Sequence, residues 1–301
     1  MENLSPAREP NRANAGTQAA GPRRIVVGFN ERPASRDALV LANALREQNE
    51  GELIVASVRP YWPGLLGPED YHRARREDEA WLRREAEKVL GDQPIATRVI
   101  AGGHETGGLK EIAAAESADL IVLGSTHRGR IGRVMPGSVG ERVLDNAPCA
   151  VAVAPLGLAD RGLEMRTIAV AYDGSRAAGV ALRLGYELAE RKGASLLLLG
   201  AVNYDFDVTG LQPVAPGELD EARIRRHLQH AELQAPGSVS VRTRLLHGAP
   251  NHVLPEAAEE ADLLILGSRS HYGPARRLFM GSVATQVARQ APCATLITPS
   301  A

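Results

Sequence analysis

The sequence predicts an α/β protein with two doubly wound, parallel five-stranded sheets that arose by tandem duplication. The duplication is visible directly, because RRIVVGFN at 23–30 aligns with RTIAVAYD at 166–173, and SADLIVLGS at 117–125 aligns with EADLLILGS at 260–268. In each copy, short β-branched runs alternate with longer amphipathic stretches. Strands separated by helices pair in parallel through right-handed crossovers, so each copy is expected to form its own sheet.

The repeat also sets the expected domain boundaries. A third pair of segments, NAPCAVAVAP at 146–155 and QAPCATLITP at 290–299, closes the two copies. The first residues lack an apolar core and are rich in Ala, Asn, Pro, Gly and Arg, which is typical of a disordered tail and not of a signal peptide. We therefore predict a tail over 1–22, a first domain over 23–156, a linker over 157–165 and a second domain over 166–299.

Each copy follows the order β-α-β-α-β-α-β-α-β. The first strands, Ile25–Phe29 and Ile168–Tyr172, are continuous apolar runs, as expected for strands buried on both faces. A helix follows each of them, with apolar residues on one face (Ala38, Leu41, Ala42 and Leu45 in the first copy, Ala181, Leu184, Gly185 and Leu188 in the second). The second strands are predicted at 53–58 and 195–202, and the charged helices after them at about 69–90 and 218–233.

The third strand of the second copy differs from the others. Within SVSVRTRLL, apolar or small residues alternate strictly with polar ones, which predicts a strand at the edge of the sheet with one face in water. The fourth strands, Leu120–Leu123 and Leu263–Leu266, are again fully apolar, and each is followed by a glycine-containing loop, a last helix and a last strand. The last strands would be bare, aggregation-prone apolar edges in isolated domains.

Composition restricts the function classes. The chain has 301 residues, of which 44% are hydrophobic and 24% charged, with a formal net charge of -1. This charge balance is typical of a globular protein and argues against nucleic acid as a partner. No apolar run approaches the ~18 residues of a membrane span, which argues against a membrane. We therefore expect a cytoplasmic protein. Cys149 and Cys293 both stand in APCA and are expected to be small core residues, not a disulfide scaffold.

A ligand site is expected where the strand order reverses, beyond the carboxyl ends of the strands. If the first strand is central and the fourth is its neighbour, Gly28–Asn30 lies beside Gly124, and Ala171–Ser175 lies beside Gly267. The clefts would therefore be lined by the best-repeated segments of the chain.

Two Gly-Ser pairs, at 137–138 and 281–282, each stand immediately before a helix. The free N–H groups and the macrodipole at such a position favour an anion. Ser138 and Glu141 also fit the S-x-x-E capping box, so for Ser138 a helix cap and a phosphate contact both remain open. Ser282 is followed three residues later by Thr285 and lacks this box, which favours a ligand contact.

Taken together, these motifs resemble the universal stress protein family in the tandem two-domain form common in actinobacteria, over 23–156 and 166–299. The resemblance implies a Rossmann-like, adenine nucleotide alpha hydrolase-like fold that binds ATP, with or without Mg²⁺. It implies as well that the two halves pair through their last strands as an intramolecular pseudo-dimer. It also implies that an Asp ending the first strand meets adenine and ribose, that a valine near the end of the second strand packs on adenine, and that the loop and Gly-Ser hold the phosphates. The corresponding residues here are Gly28, Asn30, Val58, Gly124, Gly137, Ser138 and Val139 in the first half, and Ala171, Asp173, Val202, Gly267, Gly281, Ser282 and Val283 in the second.

Two departures from the family pattern bear on binding. Asn30 replaces the Asp that ends the first strand, so its side chain is a neutral partner. His127 and His271 stand in place of the second glycine of the loop motif, and the second loop carries one extra residue before His271. Because the second half keeps Asp173 and an unboxed Ser282, we expect it to bind nucleotide more tightly than the first half.

The function predicted from these motifs is an ATP-binding regulator of the stress response without dedicated catalysis. The sequence contains no HExxH, CxxC, GxSxG or Walker GxxxxGK[ST] motif, and we predict neither catalytic residues nor a metal site. Two alternatives stay open: a nucleotide-free protein-interaction module, favoured by the replaced glycines, and a slow ATP hydrolase in the same cleft. The expected partners are an adenine nucleotide and a second copy of the chain in a homodimer.

Overall fold

A computed structural model describes residues 22–46, 51–59, 67–101, 105–125, 142–144, 147–203, 205–206, 213–214, 218–268 and 282–299. The elements of the first half are β1 (Arg24–Gly28), α1 (Ala34–Leu45), β2 (Glu52–Arg59), α2 (Pro68–Leu90), β3 (Ile95–Ala101), α3 (Glu105–Ala115), β4 (Leu120–Gly124) and β5 (Ala150–Ala154). Residues 142–144 are helical, and the linker contains the short helix α4 (Leu158–Arg161).

The second half repeats this order with one small addition. Its elements are β6 (Thr167–Ala171), α5 (Arg176–Lys192), β7 (Ser195–Val202), β8 (Asp205–Phe206), β9 (Pro213–Val214), α6 (Glu218–Leu233), β10 (Val241–His247), α7 (Pro250–Ala257) with a 3₁₀ turn at Ala258–Glu260, β11 (Leu263–Gly267), α8 (Ser282–Gln290) and β12 (Ala294–Thr298). β8 and β9 form a separate antiparallel ribbon of two residues each. The charged helix predicted at 218–233 has those bounds in the structure.

The two predicted five-stranded sheets join into one sheet of ten strands, in the order β10-β7-β6-β11-β12-β5-β4-β1-β2-β3. Within each half of this sheet every pairing is parallel, as the sequence predicts. The first strand lies between the second and the fourth, which is the arrangement assumed in placing the ligand site. The halves meet through their last strands in antiparallel pairing, with Leu296 opposite Ala152. The expected pairing between the halves is therefore confirmed, and it covers two strands that would otherwise be apolar edges.

Helices cover both faces of the sheet and divide the core into two clusters. On one face, α1, α2, α5 and α6 bury apolar residues such as Leu41, Leu82 and Leu188, and Leu158 of the linker helix joins them. On the other face, α3, α7 and α8 pack on the sheet through residues such as Ile112. Each cluster includes residues of both halves, so the two domains share their core.

Burial explains which strands are uniformly apolar. β1, β4, β6 and β11 are central, and the middle residues of each are buried whichever face they point to. β10 lies at the edge, and Arg242, Thr243 and Arg244 are exposed there. The predicted edge position is confirmed, but the prediction of a single wet face is wrong, because Thr243 on the other face is exposed as well.

A repeated carboxylate ties the fourth strand of each half to the start of the first. Oδ2 of Asp119 accepts the backbone N–H groups of Arg23 and Arg24 at 3.0 and 2.9 Å. Oδ2 of Asp262 accepts the corresponding two N–H groups before β6 at 2.8 and 2.9 Å. The Asp in the repeated motif ADL therefore has a structural role at the end of the sheet away from the predicted clefts.

Candidate functional site

The strand order reverses between β1 and β4 in the first half and between β6 and β11 in the second. The helix after β6 lies on one face of the sheet and α8, which follows β11, lies on the other, so a crevice opens between them at the carboxyl ends of these strands. In the second half this crevice is a cleft of about 290 Å³. It lies where the sequence predicts a ligand site.

The walls of the second-half cleft are mainly apolar. Ala171 of β6 together with Leu199 and Ala201 of β7 lines the sheet side, while Leu254 of α7 and Ala284 of α8 line the helical side. The small side chains of Ala171 and Ala201 leave an open space beside the sheet. Leu199 and Leu254 line this space with apolar surface. Such a space suits a planar heteroaromatic group better than a strongly hydrated one.

The polar groups of the described cleft come from the turn after β6. Asp173 and Ser175 both line the cleft, and Oδ1 of Asp173 accepts the backbone N–H of Ser175 at 2.9 Å. The Ser175 hydroxyl oxygen in turn accepts the N–H of Ala178 at 3.2 Å and caps α5. Burial raises the pKa of Tyr172, and the negative charge of Asp173 adds to that shift. Asp173 is therefore a carboxylate held in place at the mouth of an apolar cleft.

The corresponding turn of the first half has a different hydrogen-bond arrangement. Oδ1 of Asn30 accepts from the backbone N–H of Arg32 at 3.0 Å and from the hydroxyl of Ser35 at 2.9 Å. The backbone N–H of Asn30 also donates to the Ser35 oxygen at 2.9 Å, and Ser35 is buried. Both acceptor positions of the Asn30 amide oxygen are thus occupied by its own turn.

Close packing explains the glycine that ends the fourth strand in each half. A Cβ on Gly124 would lie 1.9 Å from the backbone oxygen of Ala34, and one on Gly267 would lie 2.3 Å from the backbone oxygen of Ala177. The first turn of α1 therefore passes directly over Gly124, and the first turn of α5 passes directly over Gly267. Gly267 also lines the cleft, so its missing side chain serves the fold and leaves the cleft open at the same time.

The comparison with known protein families agrees with this geometry. A family model described as "Universal stress protein family" matches residues 21–155 and again residues 164–299. The chain belongs to the universal stress protein family. It carries two copies of the domain, which accounts for the repeated cleft motifs.

Relatives with the same two-domain length are found in mycobacteria. Universal stress protein Rv2319c of Mycobacterium tuberculosis is 25% identical over 294 residues, which is 91% of this chain and 99% of the relative. A universal stress protein of Mycolicibacterium smegmatis is 29% identical over 256 residues, 81% of this chain and 84% of the relative. The crystal structure of a universal stress protein from Archaeoglobus fulgidus superposes with a TM-score of 0.68 at 19% identity, covering 93% of this chain and 99% of that one. That structure supports the fold.

The structure does not bring Val202 of this universal stress protein to the cleft, contrary to the prediction. Val202 is buried in the cluster on the opposite face of the sheet, and Ala201 lines the cleft instead. The pairing registers explain the error: Gly28 lies opposite Ala56, and Ala171 lies opposite Leu199. Counting along each strand from these pairs makes Ala201 the counterpart of Val58. Because side chains alternate between faces, an offset of one residue moves a side chain to the wrong face.

Val58 and Gly28 lie on the expected face in the first half. Val58 packs on α3, where a Cβ on Gly108 would lie 2.6 Å from its Cγ2 atom. A Cβ on Gly28 would lie 2.7 Å from Leu123 and 3.1 Å from Leu109. Gly28 thus lets two leucines approach the end of β1, whereas its counterpart Ala171 lines an open cleft.

Several predicted site residues lie outside the described part of the chain. These are Gly137, Ser138, Val139 and Gly281, together with His127 and His271. Ser282 begins α8, and Val283 beside it is exposed and lines the cleft. Of the predicted residues, the structure therefore brings Ala171, Asp173, Gly267 and Val283 together in one cleft.

The sequence prediction missed the apolar wall formed by Leu199 and Leu254. Leu199 lies in SLLLLG, where every position is apolar and periodicity cannot assign a face. Leu254 lies on α7, outside the segments that the two halves repeat. Among the described residues, no three His, Cys, Asp or Glu side chains are grouped as metal ligands. The described helices also include none with the length and apolar character of a membrane span.

Proposed function

We propose that this universal stress protein is an ATP-binding regulator whose second-half cleft, beside Asp173, is the principal nucleotide site. The observation that carries the proposal is the 290 Å³ apolar cleft with a fixed carboxylate at its mouth, at the reversal of strand order. An adenine ring fits such a space because it is planar, apolar on both faces and surrounded by polar edges.

Asp173 gives the cleft its hydrogen-bonding character. An ionised carboxylate only accepts hydrogen bonds, so it selects a ligand group that donates, such as a ribose hydroxyl or an exocyclic amino group. A hydrogen bond to a charged acceptor contributes more than one between neutral groups, which makes Asp173 the strongest single polar contact expected here.

The start of α8 also lines the cleft, through Val283 and Ala284. Its backbone N–H groups and macrodipole favour an anion, and α8 has 9 residues, enough for this effect. We assign the phosphates to this helix start, with Ser282 and Gly281 as contacts and Gly267 as the residue that keeps the approach open. Titrations with and without Mg²⁺ test whether a metal accompanies the phosphates.

The first half is proposed to bind nucleotide more weakly. The amide oxygen of Asn30 already accepts hydrogen bonds from Arg32 and Ser35, so a donating ligand group would have to displace one of them. Gly124, Gly137, Ser138, Val139, Gly28 and Val58 remain its proposed contacts through the family resemblance.

We assign no dedicated catalysis to either cleft. Among the described residues that line the second-half cleft, the ionisable side chains are those of Asp173 and Tyr172, and the raised pKa of Tyr172 keeps its hydroxyl protonated at neutral pH. The hydroxyl of Tyr172 is therefore not poised near pH 7 as a general base should be. The function supported best is therefore binding that changes the protein's interactions.

Isothermal titration of nucleotide-stripped protein with ATP tests the proposal. We expect saturable binding with one dominant site per chain, and the absence of binding would refute it. Asp173→Ala should weaken binding by about tenfold or more, since a hydrogen bond to a charged group is lost. Asn30→Ala is the matched control at the equivalent position and should change the dominant site little. The reverse order of effects would contradict the assignment of the second half.

A further inference from the structure

We propose that His227 of α6 is a positioning residue for the second-half cleft: its imidazole ring supports the turn Asp173–Ser175, and nucleotide affinity depends on that support. The inference rests on the proposed function, because it concerns the same cleft. His227 itself is absent from the described cleft lining, and it lies against Gly174, between the lining residues Asp173 and Ser175.

The contact between the ring and the turn is close and specific. Gly174 has φ +80°, a left-handed conformation that favours glycine. A Cβ built on Gly174 would lie 2.6 Å from each of three ring atoms of His227, Cγ, Cδ2 and Nδ1. Because three ring atoms are equally distant, the flat face of the imidazole covers the position that a side chain of residue 174 would occupy.

The helix that carries His227 is firmly attached to the sheet. Ile224 and Leu228, which flank His227 on α6, are buried in the core. Both pack against β7, where a Cβ on Gly200 would lie 2.6 Å from Ile224 and 3.0 Å from Leu228. The imidazole ring is therefore carried by a helix that is packed on the sheet, and the turn Asp173–Ser175 contacts this ring.

Gly174 stands between the two polar residues of the cleft. Asp173 accepts the N–H of Ser175, and the Ser175 oxygen accepts the N–H of Ala178, so the conformation of Gly174 sets where both side chains lie. Glycine has no side chain, so its backbone has the largest conformational freedom of any residue. The imidazole ring supplies that restriction from outside the turn.

The residue at the equivalent place in the first half also contacts a side chain, by different chemistry. Glu31 follows Asn30 as Gly174 follows Asp173. Its carboxylate lies 3.1 Å from the guanidinium of Arg59, which also lies 3.3 Å from Asp78 and 4.9 Å from the ring centre of Trp81 on α2. In both halves, a side chain on the face of the sheet that α2 and α6 cover thus contacts the residue that follows Asn30 or Asp173.

Two substitutions of His227 separate shape from chemistry. His227→Ala removes the ring and should weaken ATP binding by roughly three- to tenfold, the usual cost of ordering a freed segment on binding. His227→Phe keeps a flat ring and should restore most of the affinity. His230→Ala, on the same helix but exposed, is the control and should bind as the wild type does.

A second measurement needs no nucleotide. Hydrogen–deuterium exchange of the peptide covering residues 173–179 should be faster in His227→Ala than in the wild type and in His227→Phe, because the N–H groups of Ser175 and Ala178 lose protection. Unchanged affinity and unchanged exchange in His227→Ala would overturn the inference, as would equal loss in His227→Ala and His227→Phe. If the wild type binds no ATP, the proposed function fails, and the exchange experiment still decides whether His227 positions the turn.

Discussion

The backbone N–H of Ala159 donates to Oδ1 of Asp37 at 2.8 Å, although 122 residues separate the two in sequence. Oδ2 of Asp37 accepts the N–H of Gly157 at 3.0 Å, and the carboxylate is almost fully buried, with 2% of the residue exposed. One side chain of α1 therefore satisfies the N–H groups at the start of the linker helix α4 and fixes the linker to the first half.

Replacing Asp37 by Ala should destabilise the protein. The partly buried N–H groups of Gly157 and Ala159 would lose their acceptor, and the loss of such a partner costs about 1–3 kcal/mol. Asp160→Ala is the control, because Asp160 is an exposed residue of the same linker helix. Chemical denaturation compares the two variants with the wild type, and equal stabilities of both variants would contradict this role of Asp37.

The pH dependence of the Asp37 contribution follows from its pKa. Burial raises the pKa of Asp37 above its ordinary value of 3.8 despite the backbone N–H groups, which act in the opposite direction. A carboxyl whose pKa is raised on folding stabilises the protein fully below its unfolded pKa and loses that contribution as the pH rises through the folded pKa. The wild type should therefore gain stability relative to Asp37→Asn as the pH falls from about 7 to about 4. A relative loss of wild-type stability over this range would show that the N–H groups outweigh burial.

A Gly267→Ala variant should test packing more than binding. Its new Cβ would meet the backbone of Ala177 at 2.3 Å, and backbone cannot rotate away as a flexible side chain can. We expect a loss of about 1–3 kcal/mol in unfolding free energy, as for other overpacked sites. Gly237→Ala is the control, since a Cβ there meets nothing within 4 Å. A Gly267→Ala protein as stable as the control would mean that α5 does not lie so close to β11.

Sequence patterns were sufficient for the duplication, which shows as repeated segments, and for the edge position of β10, which shows as alternation along one short segment. They also led to Asp173 and Gly267, since strand ends on the two sides of the order reversal must lie side by side. The apolar runs carry this information because both faces of a central strand are buried.

Val202 and Asp37 show what such patterns cannot supply. A valine in an all-apolar strand can belong to either face, and only the pairing register assigns Val202 to the core and Ala201 to the cleft. Asp37 contacts backbone N–H groups, which every residue except proline carries, so no residue type in the linker identifies its partner. Contacts of this kind depend on how the chain returns to itself.

Unfolding of the two halves should be a single cooperative transition. Leu296 of β12 is fully buried, lies opposite Ala152 of β5 and belongs to the core cluster that includes residues of both halves. Leu296→Ala should therefore lower the stability of the whole chain, by about 2–5 kcal/mol for a buried leucine. Leu233→Ala, at a leucine that is 85% exposed, is the matched control and should have little effect. Two calorimetric transitions, of which Leu296→Ala shifts one, would show that the halves unfold independently.

The two thiols should be unreactive in the native protein and should reduce its stability in alkali. Burial raises the pKa of Cys149 and of Cys293 from 9.0 to about 12, and the nearby charges of Asp119 and Asp262 act in the same direction. Thiolate, the reactive form, is therefore absent at pH 8, and a thiol reagent should modify both cysteines only after denaturant is added.

Between pH 9.0 and about 12 the unfolded chain releases these protons while the folded one retains them, so stability falls as the pH rises. In the double variant Cys149→Ala, Cys293→Ala this part of the alkaline loss should disappear. Rapid modification of either thiol in the native protein would contradict the burial of Cys149 and Cys293, which stand directly before the last strands of the two halves.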